Sequence, residues 1–63
     1  MKYMVENDFV IGHVLIEAES PLAAVQKSLA YFYTTDHKFN VFDENYHFVA
    51  HVDMSKNPPF VSH

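Results

Sequence analysis

The chain has 63 residues and no cysteine, and it sets four lysines and no arginine against eight acidic residues, for a formal net charge of −4. The missing thiols exclude disulfides and thiolate metal centres, and the shortage of cations disfavours nucleic acid and anionic membranes as partners. A hydrophobic share of 49% is too high for general disorder, and no apolar run approaches the ~20 residues of a membrane span.

The first residues, Met1-Lys2-Tyr3-Met4-Val5-Glu6, have no long apolar stretch behind the lysine. No secretory signal is expected, and the expected location is cytoplasmic. Residues 2–5 and 9–18 are rich in Val, Ile, Tyr and Phe, with Glu6-Asn7-Asp8 between them. They read as a β-hairpin or as one long irregular strand. In the second stretch Val14, Ile16 and Ala18 alternate with His13, Leu15 and Glu17, and Gly12 is a candidate bulge.

Ser20-Pro21 is a helix start. Serine offers its oxygen as a cap, and proline fits the first helical position, where its missing N–H has no partner to lose. The 3,4 spacing of Leu22, Val25, Leu29, Phe32 and Tyr33 predicts a helix over 20–33, with those residues facing the core. Ala23, Ala24, Lys27, Ala30 and Tyr31 then face outward. Thr34-Thr35-Asp36-His37 favours leaving the helix.

Residues 38–43 and 46–54 form the clearest hairpin, around a two-residue Glu44-Asn45 turn. That register pairs Val41 with Phe48 and Phe39 with Ala50 on one face, which Val52 and Met54 continue. The other face pairs Phe42 with His47, Asn40 with Val49 and Lys38 with His51. The first face is apolar and is expected against the helix. Residues 55–63, with Asn57-Pro58-Pro59-Phe60, read as an extended tail on a single α+β domain over 1–54.

The expected fold is a small ββαββ (or βαββ) domain, one helix on one face of a 3–4-stranded mixed sheet. Its helix is expected to connect parallel strands by a crossover. The order recurs in many small bacterial and phage proteins, a likeness of fold that carries no function.

Five histidines are the most unusual count. His47 and His51 share a strand face, but four residues along a strand is ~13 Å, too far for one metal ion. A metal site would need His13 from another strand and a carboxylate, so no metal and no cofactor is expected. Glu17, Glu19, Asp43 and Glu44 gather at one end of the expected sheet, where turns ordinarily carry solvated acids. No nucleophile motif surrounds any serine, and one glycine cannot build a phosphate loop, so no catalytic residue is assigned.

Six Phe and four Tyr are more than one small core can hide. The register leaves Phe42, Val49 and His47 on the face away from the helix, joined, with no bulge, by Phe9, Ile11 and Leu15. A contiguous apolar patch of this kind signals an interface. Tyr31, on the outward side of the helix, marks a second candidate surface. A domain this small, without a covalent staple, gains from a second copy. The sequence therefore points to a non-enzymatic interaction module, homodimeric and binding a protein partner. A small His-based enzyme or ligand-binding protein using His13, His47 and His51 is the alternative.

Overall fold

A computed structural model describes all 63 residues. The elements in order are β1 (Lys2–Asn7), β2 (Val14–Glu17), α1 (Pro21–Ser28), β3 (Lys38–Asp43), β4 (Phe48–Asp53) and β5 (Phe60–Ser62). They form one five-stranded sheet in the order β2-β1-β3-β4-β5, with α1 on one face. The α+β class and the single helix agree with the sequence reading. The strand count and the mixed sheet do not: there are five strands, and every neighbouring pair is antiparallel.

The helical crossover explains the difference. It leads from β2 to β3, which run in the same direction, as the crossover argument requires. Yet β1 lies between them and pairs antiparallel with both, so no parallel ladder forms. The fifth strand comes from the segment expected as a tail, where Phe60, Val61 and Ser62 pair with Asp53, Val52 and His51. Both edge strands are short, four residues in β2 and three in β5, which leaves little unpaired backbone to recruit another chain.

Residues 2–18 form a hairpin rather than one bulged strand. Gly12 lies in its connecting loop at φ 104, a left-handed conformation that glycine adopts without steric cost. Phe9 and Ile11 therefore fall on that loop, exposed, and do not join Leu15 on the sheet. The alternation within β2 is as expected: Ile16 and the following Ala18 are buried, and Leu15 and Glu17 are exposed.

Ser20 caps α1, its hydroxyl oxygen accepting the Ala23 N–H at 3.1 Å, with Pro21 beginning the helix. The helix stops at Ser28, five residues before the periodicity suggests. The Ser28 hydroxyl donates to the Val25 carbonyl at 2.7 Å, and the Leu29 N–H reaches the same oxygen at 3.2 Å. Such side-chain competition for a helical carbonyl loosens the last turn, and the aromatic run Tyr31-Phe32-Tyr33 has poor helix propensity. As a result Leu29, expected in the core, is 45% exposed. Ala24, expected to face outward, is fully buried.

The core lies between α1 and the sheet. Tyr3 and Val5 from β1, Ile16 from β2, Phe39 and Val41 from β3 and Val52 from β4 pack with Ala24 and Val25 of the helix. Phe39, 1% exposed, is the largest of its fully buried side chains, and Phe32 tilts against it at 5.8 Å between ring centroids.

The β3–β4 register differs from the two-residue turn. Asp43 Oδ1 accepts the N–H groups of Asn45 and His47, both at 2.9 Å, and the Asp43 N–H donates to the His47 carbonyl. This makes a three-residue loop, 44–46, with Tyr46 at φ 65 in its left-handed third position. The extra loop residue places Phe48 opposite Phe42, and a bulge at Val49 then places Ala50 opposite Val41. Two one-residue shifts restore the parity. Phe39, Val41, Ala50 and Val52 face the helix as expected, whereas Phe48 turns to the far face and Val49 packs against the core.

Candidate functional site

The sheet face away from α1 is built by period-two alternation. Lys2, Met4 and Glu6 of β1 alternate with buried Tyr3, Val5 and Asn7. In the ladder Met4 lies opposite Leu15 on one side and Phe42 on the other, and Phe42 lies opposite Phe48. Leu15, Met4, Phe42 and Phe48 thus form one apolar row across four strands, roughly 14 Å wide at the usual strand spacing. Its aliphatic half lies on β2 and β1 and its aromatic half on β3 and β4.

Tyr46 completes the row. Its left-handed backbone folds the ring back over the sheet, stacked on Phe42 at 4.5 Å and 17°, and Phe48 meets Phe42 edge-on at 5.9 Å. Aromatic pairs of this geometry contribute about 0.5–1.5 kcal/mol each beyond the area they bury. The Tyr46 hydroxyl donates to the Glu6 carboxylate, and His13 lies 6.1 Å away, ring to ring. The hydrogen bond to Glu6 holds the Tyr46 phenol above its ordinary pKa, since ionisation would set two anions together. Leu15, Phe48 and Tyr46 remain 56%, 55% and 51% exposed.

A polar row runs beside the apolar one. Glu6 lies opposite Asn40, Asn40 opposite His51, and His51 opposite Ser62. Asn40 Nδ2 donates to Asp8 Oδ1 at 2.9 Å, and His51 Nδ1 lies 2.8 Å from Asn40 Oδ1. The Asn40–His51 bond lies within the row, the Asn40–Asp8 bond ties it to the residue after β1, and Glu6 accepts the Tyr46 hydroxyl at its border with the apolar strip.

The sequence-derived candidates separate accordingly. Phe42 and Leu15 lie in the apolar row. Val49 does not, because the bulge turns it toward the core. His47 sits at the tight turn, with Nδ1 3.4 Å from Asp43 Oδ2. The backbone N–H of His47, and then that of Asn45, hold the Asp43 carboxyl below the usual carboxylate range. Tyr31 is exposed just past α1, remote in sequence and fold from the row. His13, His47 and His51 occupy a loop, a turn and a strand, and no three His, Asp or Glu side chains converge where they could hold a metal ion. Met4, Tyr46 and Phe48 are the members that the sequence reading missed. Met4 was legible in the alternation of β1. Tyr46 and Phe48 depended on the loop length.

Compared with family models, curated proteins and solved structures, the chain matches none.

Proposed function

We propose that the chain is a small non-enzymatic interaction module that pairs with a second copy through this sheet face and, as a dimer, binds a protein partner as adaptor, regulator or inhibitor. The observation that carries the reading is the in-register row Leu15–Met4–Phe42–Phe48 with Tyr46 stacked upon it. Helix α1 covers the other face of the sheet, and nothing in the chain covers this one beyond Tyr46.

A two-fold partner suits the row because the row has two unlike halves. An axis along the strands, between β1 and β3, sets Leu15 of each copy against Phe48 of the other. It also sets each Tyr46 ridge over the other copy's half-buried Met4. Methionine–aromatic contacts are favourable, and an isologous interface requires this reciprocity. The same axis brings Lys2 of each copy toward Glu44 of the other. A standard interface takes about 800 Å² from each partner, about a fifth of this chain's 4251 Å² surface. No helix is long and apolar enough to cross a membrane.

Sedimentation at ~10–100 μM tests it, a range that detects interfaces of micromolar affinity. The parent chain should sediment as a dimer. Phe48→Asp or Leu15→Asp should give a folded monomer, and Tyr31→Asp should leave the dimer intact. A monomeric parent at the top of that range overturns the homodimer.

A further inference from the structure

On the helix side of the sheet, remote from the apolar row, the early end of α1 opens a pocket of about 320 Å³. Its apolar walls are Leu29, Phe32, Phe39 and Met54, and its polar rim is Thr34, Asp36 and His37. The volume lies at the low end of the ~300–1,000 Å³ typical of ligand pockets, so the occupant is small.

The rim is constructed around Asp36. Asn7, buried on β1, directs Nδ2 to Asp36 Oδ2 at 3.2 Å, and the Lys38 backbone N–H donates to the same oxygen at 3.1 Å. The Asp36 N–H is itself held by Thr34 Oγ1 at 3.0 Å. These bonds fix the carboxylate from behind. Its second oxygen, Oδ1, takes none of the chain's hydrogen bonds, and no lysine lines the pocket to neutralise it. A fixed carboxylate with one free oxygen, above two tilted phenyl rings 5.8 Å apart, favours a cation over an anion. The rings and the aliphatic walls favour an apolar body behind that cation.

We propose that this pocket binds a small organic amine, its ammonium on Asp36 and its compact apolar body against Phe32, Phe39 and Met54. Preorganisation by Asn7 matters here, because a carboxylate already held in place loses little freedom on binding. The site uses residues of one copy and does not depend on dimerisation.

The test uses three probes of matched shape: phenethylammonium, 2-phenylethanol and phenylacetate. NMR of the full chain follows the Met54 methyl, the Leu29 methyls and the Thr34–His37 amides. Phenethylammonium should shift these signals saturably. The alcohol should bind about tenfold more weakly, having lost one charge-assisted hydrogen bond, and phenylacetate should not bind. Asp36→Asn should bring the ammonium down to the alcohol's level. Should that variant unfold, Leu29→Trp, which fills the mouth from an exposed position, should abolish binding with the remaining spectrum unchanged. Two results overturn the proposal: no saturable shift with phenethylammonium up to ~10 mM, or equal binding of all three probes.

Discussion

Replacing Asn7 by leucine tests the tie between β1 and the segment that leads into β3. The Asn7 side chain is 4% exposed. Its Nδ2 lies 3.2 Å from Asp36 Oδ2, 3.3 Å from the Lys38 carbonyl and 3.5 Å from the Asp36 carbonyl, and its Oδ1 accepts the Phe9 N–H at 2.9 Å. Two amide hydrogens cannot fully serve three acceptors, so the shortest bond, to the carboxylate, dominates. A hydrogen bond to a charged group contributes about 1.5–3 kcal/mol and a neutral one about 0.5–1.5 kcal/mol. Leucine has similar volume and recovers little of this, so the expected loss is about 3 kcal/mol. A chain of this length has roughly 3–9 kcal/mol in total. The melting temperature should fall by roughly 12–24 °C, read by circular dichroism. Asn7→Asp has the same shape but sets a second carboxylate against Asp36. It should be destabilised at neutral pH and recover toward acid, as one of the pair takes up a proton. An Asn7→Leu melting temperature within about 2 °C of the parent would refute the reasoning.

Phe39→Ala empties the centre of the core and should cost about 3–5 kcal/mol, enough to leave the chain largely unfolded in urea titrations. Leu29→Ala, at a half-exposed position, should cost under about 1.5 kcal/mol; equal losses from the two would mean that the helix continues past Ser28 and buries Leu29. Tyr46 gives the pH dependence. Its neutral phenol donates to Glu6 and its folded pKa is raised, so its contribution is complete below the ordinary tyrosine value and is lost as pH climbs through the raised one. In an ultraviolet titration the raised Tyr46 transition should disappear in Tyr46→Phe and move to lower pH in Glu6→Gln; unchanged curves would remove the Glu6–Tyr46 bond from the account.

What could be read in the residues was what alternation and capping encode. The Ser20-Pro21 start is capped as expected, with the hydroxyl on the Ala23 N–H. The helix-facing set Ile16, Ala18, Phe39, Val41, Ala50 and Val52 is buried. The failures have local physical causes. The alternation around Asp43 suits a two-residue turn, but the Asp43 carboxylate gathers two N–H groups and lengthens the loop. The shift then reversed Phe48 and carried Tyr46 onto the sheet. Asparagine tolerates a positive φ better than tyrosine, yet Tyr46 and not Asn45 takes it, held there by stacking on Phe42 and the bond to Glu6. The proline-containing segment hid β5, because three residues are too few to show a period. The pocket was not legible, since it depends on Leu29 leaving the helix and on a contact between residues 7 and 36.

The pairing of β1 with β3 has a consequence for how the chain assembles. Every other strand pair joins sequence neighbours: β1 with β2, β3 with β4, β4 with β5. The β1–β3 ladder is the one strand pairing between the two halves, and its pair nearest in sequence, Asn7 with Phe39, closes a loop of 39 − 7 = 32 residues. A loop about three times longer than a ten-residue hairpin costs about 1 kcal/mol more to close. The local hairpins can therefore form and dissolve ahead of this seam, and contacts of such high sequence separation slow folding. The nine residues 29–37, which bridge the halves, also form most of the pocket's lining. A chain severed there would present two complementary fragments, β1-β2-α1 and β3-β4-β5, that meet along the central ladder and where α1 packs on β3 and β4. Two intact copies could exchange the same halves through that bridge.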